Sequence, residues 1–131
     1  RGLGDVYKRQ GVEVTFRRTV SFEQGSIEIS EKAVKAMKKM LPIIGQMQND
    51  IEISGHTDDT DVNNRFPSNW EMSVARASAI AGFLQSNMIA PVSMQVVGYG
   101  DLRDSFNADT AYKRALNRRV EILLLPEEQT R

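Results

Sequence analysis

From Val12 the chain alternates. Val12, Val14 and Phe16, then Val20 and Phe22, fall on even positions with polar residues between most of them. A period of two predicts one half-buried strand from Val12 to Phe22, because successive side chains leave opposite faces of a pleated backbone. Glu23-Gln24-Gly25-Ser26 reads as the turn that ends it. Ser30 can cap a helix whose apolar residues recur three and four apart, at Val34, Met37, Met40, Leu41 and Ile44. Pro42 lies inside that pattern and is expected to kink the helix or to start a second short turn. Ile51, Ile53 and Gly55 predict a second strand ending at His56, and the stretch from Thr57 to Pro67 is polar and without period.

Ser68-Asn69-Trp70-Glu71 matches a capping box, with a hydroxyl at the cap and a carboxylate three residues on. The helix it opens carries Trp70, Val74, Ala77, Ala81, Leu84 and Met88 on one stripe and stops by Pro91. Met94, Val96 and Gly98 predict a third strand, with Tyr99-Gly100-Asp101 beginning a loop. Asp109 or Thr110 can cap a short helix through Ala111, Tyr112 and Leu116, and Val120 to Leu125 reads as a last, well-buried strand. The order predicts an α/β (α+β) two-layer sandwich: a β-α-β-α-β-α-β mixed sheet with the helices packed on one face. Residues 1–11 read as a disordered or adapter-like extension, 12–126 as one domain and 127–131 as a tail. The chain opens on Arg1 rather than Met, so it reads as an excised domain with any membrane anchor outside it.

Composition narrows the function. Of 131 residues, 17 are Lys or Arg and 17 are Asp or Glu, a formal net charge of zero. A protein that grips phosphate backbones carries a basic excess, so nucleic acid is not an expected partner. The chain has no cysteine, which removes disulfides, thiolate metal sites and cysteine nucleophiles. Its single histidine, His56, rules out a site that needs two imidazoles from one chain. No window approaches the roughly 18 apolar residues of a membrane-spanning helix.

The stretch Gly55-His56-Thr57-Asp58-Asp59-Thr60-Asp61 follows a strand, where α/β sheets bind ligands. A metal-assisted hydrolase built on His56 and the Asp58–Asp61 cluster is one remote reading, but three acids in four loop residues equally suit turns and caps, and the spacing is not that of a calcium loop. Gly98-Tyr99-Gly100-Asp101 lacks the third glycine and the Lys-Ser or Lys-Thr of a phosphate loop. No Gly-x-Ser-x-Gly elbow is present. Neither catalytic residues nor a metal or cofactor are therefore assigned. Lys113, Arg114, Arg118 and Arg119 suit a solvated face with ion pairs. Arg76 lies two turns into the second helix beside the apolar stripe. A half-buried guanidinium calls for a carboxylate, supplied either by a ligand or by an internal partner such as Asp58 or Glu71.

Four blocks then stand in order: Gly55-His56-Thr57-Asp58; Asn69-x-x-Met72-Ser73-x-x-Arg76-Ala77; Gly98-Tyr99-Gly100; and Asn117-Arg118-Arg119-Val120-Glu121-Ile122. Together with Phe22-x-x-Gly25-Ser26 they resemble the OmpA-like peptidoglycan-binding domain, over about Val12 to Leu125. The second aspartate, Asp59, and the long loop through Arg65-Phe66-Pro67-Ser68-Asn69-Trp70-Glu71 resemble its MotB-type branch, the periplasmic part of flagellar motor stator subunits. Met72 stands where that family usually has Leu, and Ala111 to Ala115 replace a more usual Gly-Arg. The resemblance implies a non-catalytic domain that holds the diaminopimelate-containing stem peptide of the wall. By similarity Asp58 and Arg76 would take the ligand's charged groups. Thr57 and the Phe22–Ser26 turn would line the mouth, Asn69 and Asn117 would offer amides, Met72 would lie in the same block, and Arg118 would brace the loops. The implied partners are peptidoglycan and, in the full-length protein, a membrane partner subunit, with room for a homodimer. An outer-membrane protein or lipoprotein of the same family is the alternative.

Overall fold

The computed structural model describes residues 7–9, 12–14, 16–46, 50–61, 65–87, 94–102 and 110–125. The predicted first strand is divided. Val12–Val14 (β2) pairs antiparallel with Tyr7–Arg9 (β1) in a separate ribbon, while Phe16–Ser21 (β3) joins the main sheet. β1 thus lies inside the stretch that sequence alone leaves outside the fold. The remaining elements are α1 (Glu31–Gln46), β4 (Ile51–His56), α2 (Asn69–Ser86), β5 (Met94–Gly98), α3 (Ala111–Asn117) and β6 (Arg119–Leu124).

The main sheet runs in the order β3-β6-β4-β5. β6 is antiparallel to both neighbours and β4 is parallel to β5, so the sheet is mixed. A strand between two others has both hydrogen-bonding edges paired, and every residue of β6 is buried. Val120, Ile122 and Leu124 point to the helices and join Val20, Ile51 and Ile53 in the core. On the opposite face the charges of β6 are matched to each other, Arg119 Nε lying 2.9 Å from a Glu121 carboxylate oxygen.

α1 begins as predicted. The Ser30 hydroxyl accepts from the Ala33 N–H at 3.1 Å, and Met37, Met40 and Ile44 face the sheet. The helix continues through Pro42 as one element, with no second turn. α2 starts at Ser68, whose hydroxyl accepts from the Trp70 N–H at 3.2 Å and donates to the Glu71 carboxylate. α3 is capped by Thr110, whose hydroxyl accepts from the Lys113 N–H at 3.1 Å; Asp109 lies outside the described residues.

The buried face of α2 differs from the predicted stripe. It consists of Met72, Ser73, Arg76, Ala77, Ile80 and Leu84, while Trp70 is 49% and Val74 38% exposed. Ala77, Ala81 and Leu84 keep their inward positions, and Met88 lies outside the described residues. The cause is on the sheet. Gly55 and Gly98 are register partners on neighbouring strands, and together they leave a notch without side chains. The helix backbone at Ser73 fills it: a Cβ on Gly55 would sit 1.9 Å from the Ser73 carbonyl oxygen, and one on Gly98 2.6 Å from its hydroxyl. With Ser73 and Ala77 turned to Gly55, the helix rotates so that Trp70 is half exposed and Val74 leans on Gly98 with part of its side chain in solvent. The same rotation carries Arg76 inwards.

Candidate functional site

Strand ends, a turn and a helix converge at one pole of the sheet. β3 ends there at Ser21, followed by Phe22 and the turn to Ser26, β4 ends at His56, α2 passes above it at Arg76, and α3 hands over to β6 at Asn117–Arg118. Main-chain bonds stitch these segments together. Phe22 N–H donates to the Arg118 carbonyl at 3.0 Å, Thr57 N–H to Gly100 O at 2.9 Å, and Tyr99 N–H to Gly55 O at 3.0 Å. Gly100 has φ +59, a left-handed conformation that glycine adopts without a steric penalty, and the Gly100 N–H donates to the Ser73 hydroxyl at 2.9 Å.

Arg76 is fully buried, and all five of its N–H donors have acceptors. Nε donates to Ser26 O at 2.8 Å; one terminal nitrogen donates to His56 O at 3.2 Å and to Asp61 Oδ2 at 2.5 Å. The other donates to Glu23 O and to Asp61 Oδ1, each at 3.0 Å. Its guanidinium also lies over the Phe22 ring, 5.2 Å from the centroid. The internal carboxylate is thus Asp61, not Asp58 or Glu71. Asp61 is itself buried and accepts from the Gly25 N–H at 2.6 Å and more weakly from the Asp58 N–H at 3.4 Å. Gly25 has φ +70, and the turn that presents its N–H to Asp61 depends on that conformation.

Asp58 is likewise buried and answers to Arg118. Arg118 donates from NH1 to Asp58 Oδ2 at 3.0 Å and from Nε to Phe22 O at 3.0 Å. The other Asp58 oxygen accepts from the Thr60 N–H at 2.6 Å and the Thr60 hydroxyl at 2.9 Å. That Asx turn folds the loop back so that Asp61 returns to the strand end. Two carboxylates and two guanidiniums thus lie side by side in crossed pairs, and their charges sum to zero.

The other expected site residues fall as follows. Thr57 is buried, and its hydroxyl meets no hydrogen-bond partner among the described residues; the same holds for Asn69 Oδ1 at the first position of α2. The two flank Gly100, since a Cβ there would lie 3.6 Å from the Asn69 carbonyl carbon and the Gly100 oxygen binds Thr57. Met72 and Asn117 are fully buried, and Phe22 is nearly so. Ser26 contributes its carbonyl to Arg76 and its hydroxyl to the Glu28 N–H. His56 contributes its carbonyl, while its ring stacks on Tyr99 at a centroid distance of 5.3 Å. Asp59 is exposed. Among the described residues no three His, Asp or Glu side chains are grouped to hold a metal ion. Glu71 instead pairs with its own helix cap. The Ser68 hydroxyl, and then its own main-chain N–H, hold its carboxyl below the usual carboxylate range.

Sequence reasoning missed Asp61 as the partner of Arg76. The signal that could have found it is Asp58-Asp59-Thr60, the Asx turn that reverses the loop.

The mixed β3-β6-β4-β5 sheet and the charged site at its pole define a recognisable class, and a family model describes it. The OmpA family model matches residues 21–118, and the chain belongs to the OmpA family. Motility protein B of Bacillus subtilis (strain 168) is 36% identical over 121 residues, which cover 89% of this chain and 46% of that protein. The periplasmic domain of Helicobacter pylori MotB shares the fold with a TM-score of 0.76 at 23% identity, covering 93% of this chain and 88% of that one. The cell wall anchor of the T6SS from Pseudomonas aeruginosa matches with a TM-score of 0.75 at 25% identity, covering 85% of this chain and 81% of that one. The chain spans about half the length of the curated relatives it matches. Among the described residues no helix is long and apolar enough to cross a membrane.

Proposed function

We propose that this domain binds peptidoglycan non-covalently, through a diaminopimelate-containing stem peptide, without catalysing a reaction. In this reading it is the periplasmic anchor of a flagellar motor stator subunit. The observation that carries it is the meeting of a buried Asp58 and a buried Arg76 at one strand end, next in sequence to Thr57, whose buried hydroxyl lacks a partner among the described residues. An amino-acid head group presents an ammonium and a carboxylate a few ångströms apart, and it matches such a pair charge for charge. Asp58 takes the ammonium with Thr57 and Asn69 as further acceptors. Arg76 takes the carboxylate, and Phe22 and Ser26 form the wall of the mouth. Met72 and Asn117 support the site from within, and Arg118 ties Asp58 to the end of β3. The similarity to motility proteins supports the stator assignment, and that to the cell wall anchor of the T6SS supports the wall as ligand. A membrane partner subunit belongs to the whole stator, and a homodimer is compatible with it.

The test is co-sedimentation with purified sacculi, with free diaminopimelate as competitor. Arg76→Ala alone strands a buried Asp61, so it is read beside Arg76→Ala/Asp61→Ala, and both beside Asp58→Ala. The parent is expected to pellet and to be released by diaminopimelate, and the folded variants to stay in solution. If the parent stays in solution, or if the folded variants pellet like the parent, the assignment fails.

A further inference from the structure

Every donor of Arg76 is engaged, yet the proposed ligand needs two of them. Three acceptors, the carbonyls of Glu23, Ser26 and His56, belong to the main chain of the turn and the strand end. Releasing those would undo the pole of the sheet. The fourth partner is a side chain. Asp61 holds the guanidinium with both oxygens, at 2.5 and 3.0 Å, in the two-pronged geometry a ligand carboxylate would adopt. Its further contacts are few: the Gly25 and Asp58 N–H groups.

Resting on the peptidoglycan-binding reading, we propose that Asp61 is a built-in stand-in for the ligand's carboxylate. In the free domain it occupies the Arg76 seat, and a wall carboxylate binds by displacing it. The exchange conserves charge: one carboxylate leaves the fork as another arrives, and Arg76 is never buried unpaired. Two consequences follow. The seat discriminates in favour of ligands bearing a carboxylate, because a neutral group would leave a desolvated guanidinium behind. And the domain's affinity is set by competition with its own side chain, as any self-occupied site binds more weakly by the fraction of time it is closed. The hydroxyl of Thr57 and Oδ1 of Asn69 make no hydrogen bond among the described residues and lie outside this exchange.

The experiment compares the parent with Asp61→Asn and Asp61→Ala. Diaminopimelate and its diamide are titrated by calorimetry, and thermal midpoints are followed in sodium acetate against sodium chloride at matched ionic strength. Asp61→Asn keeps the shape of the side chain and removes its charge. It is expected to bind diaminopimelate about tenfold more tightly than the parent. Asp61→Ala opens the seat, and acetate is expected to raise its midpoint saturably while leaving the parent's unchanged. Should neither variant fold, the parent decides by NMR: bound diaminopimelate must move the Gly25 amide resonance, because that N–H loses its Asp61 partner. Diaminopimelate binding to the parent with a still Gly25 amide, or to a folded Asp61→Asn with equal or lower affinity, overturns the inference and leaves the wall-binding reading intact. No binding of diaminopimelate or sacculi to the parent or to either variant overturns both.

Discussion

The notch formed by Gly55 and Gly98 sets the height of α2 over the sheet, and Gly55→Ala tests whether that height matters. The added methyl would lie 1.9 Å from the Ser73 carbonyl oxygen and 2.8 Å from the carbonyl carbon, both of them backbone atoms that no rotamer change can move aside. Restoring ordinary contact requires α2 to retreat by about 1.5 Å. Overpacking of this kind costs about 1–3 kcal/mol, and a clash with backbone belongs at the upper end. The loss of unfolded-state freedom on going from Gly to Ala offsets about 0.4–1 kcal/mol, leaving a net destabilisation of about 2 kcal/mol. In urea unfolding, with a slope of about 1–3 kcal/mol/M, the midpoint should fall by about 1 M. Gly82→Ala is the matched control. It lies exposed on the same helix with nothing within 4 Å of its added methyl, and should stabilise by about 0.5–1 kcal/mol. Arg76 sits three residues beyond Ser73, so the lifted helix should also lose sacculus binding at temperatures where the variant is still folded. A Gly55→Ala midpoint at or above the parent's would refute the argument that this contact positions the site.

Other outcomes follow from the same geometry. Ser68→Ala should cost about 1 kcal/mol through loss of the helix cap, and an NMR titration should show the Glu71 carboxyl returning upwards towards the usual carboxylate range. The sign follows from linkage: the folded value lies below the unfolded one, so the Glu71 contribution is present above the unfolded value and fades as pH falls through the folded one. Ile53→Ala, at a fully buried position on the core face of β4, should cost about 2–5 kcal/mol in urea unfolding with an unchanged slope. Gly100→Ala should cost about 1–2 kcal/mol because its φ of +59 disfavours a Cβ, and its methyl would also press on the Trp70 ring at 3.2 Å, which tryptophan fluorescence should register.

Local signals carried most of the fold. Ser30, Ser68 and Thr110 cap the helices where their spacing to the first apolar turn predicts, and the ends of β4 and β6 are marked by changes of pattern within a few residues. What was not legible depended on residues distant in sequence. The tilt of α2 is decided by two glycines on other elements, so counting apolar residues along the helix put Trp70 and Val74 inside and left Arg76 at the margin. A charged side chain also reads as surface until its partners are known, and those of Arg76 come from Glu23, Ser26, His56 and Asp61. Asp58 and Arg76 were both legible as candidates for the site. Their engagement with Arg118 and Asp61 was not, because it turns on how the segment from Thr57 to Asp61 folds back. The division of the first alternating stretch between β2 and β3 escaped for a related reason: period two marks extended chain but not the strand it pairs with.

The placement of β3 has a mechanical consequence. The strand runs from Phe16 to Ser21, just before Phe22 at the site, and all six of its residues pair antiparallel with β6, from Phe16↔Leu124 to Ser21↔Arg119. If the wall is held, as proposed, by Asp58 and Arg76 on the neighbouring elements, tension on the chain preceding Phe16 is directed along this strand. Such a pull loads all six pairs in shear at once instead of opening them one after another, so the ladder resists as a unit.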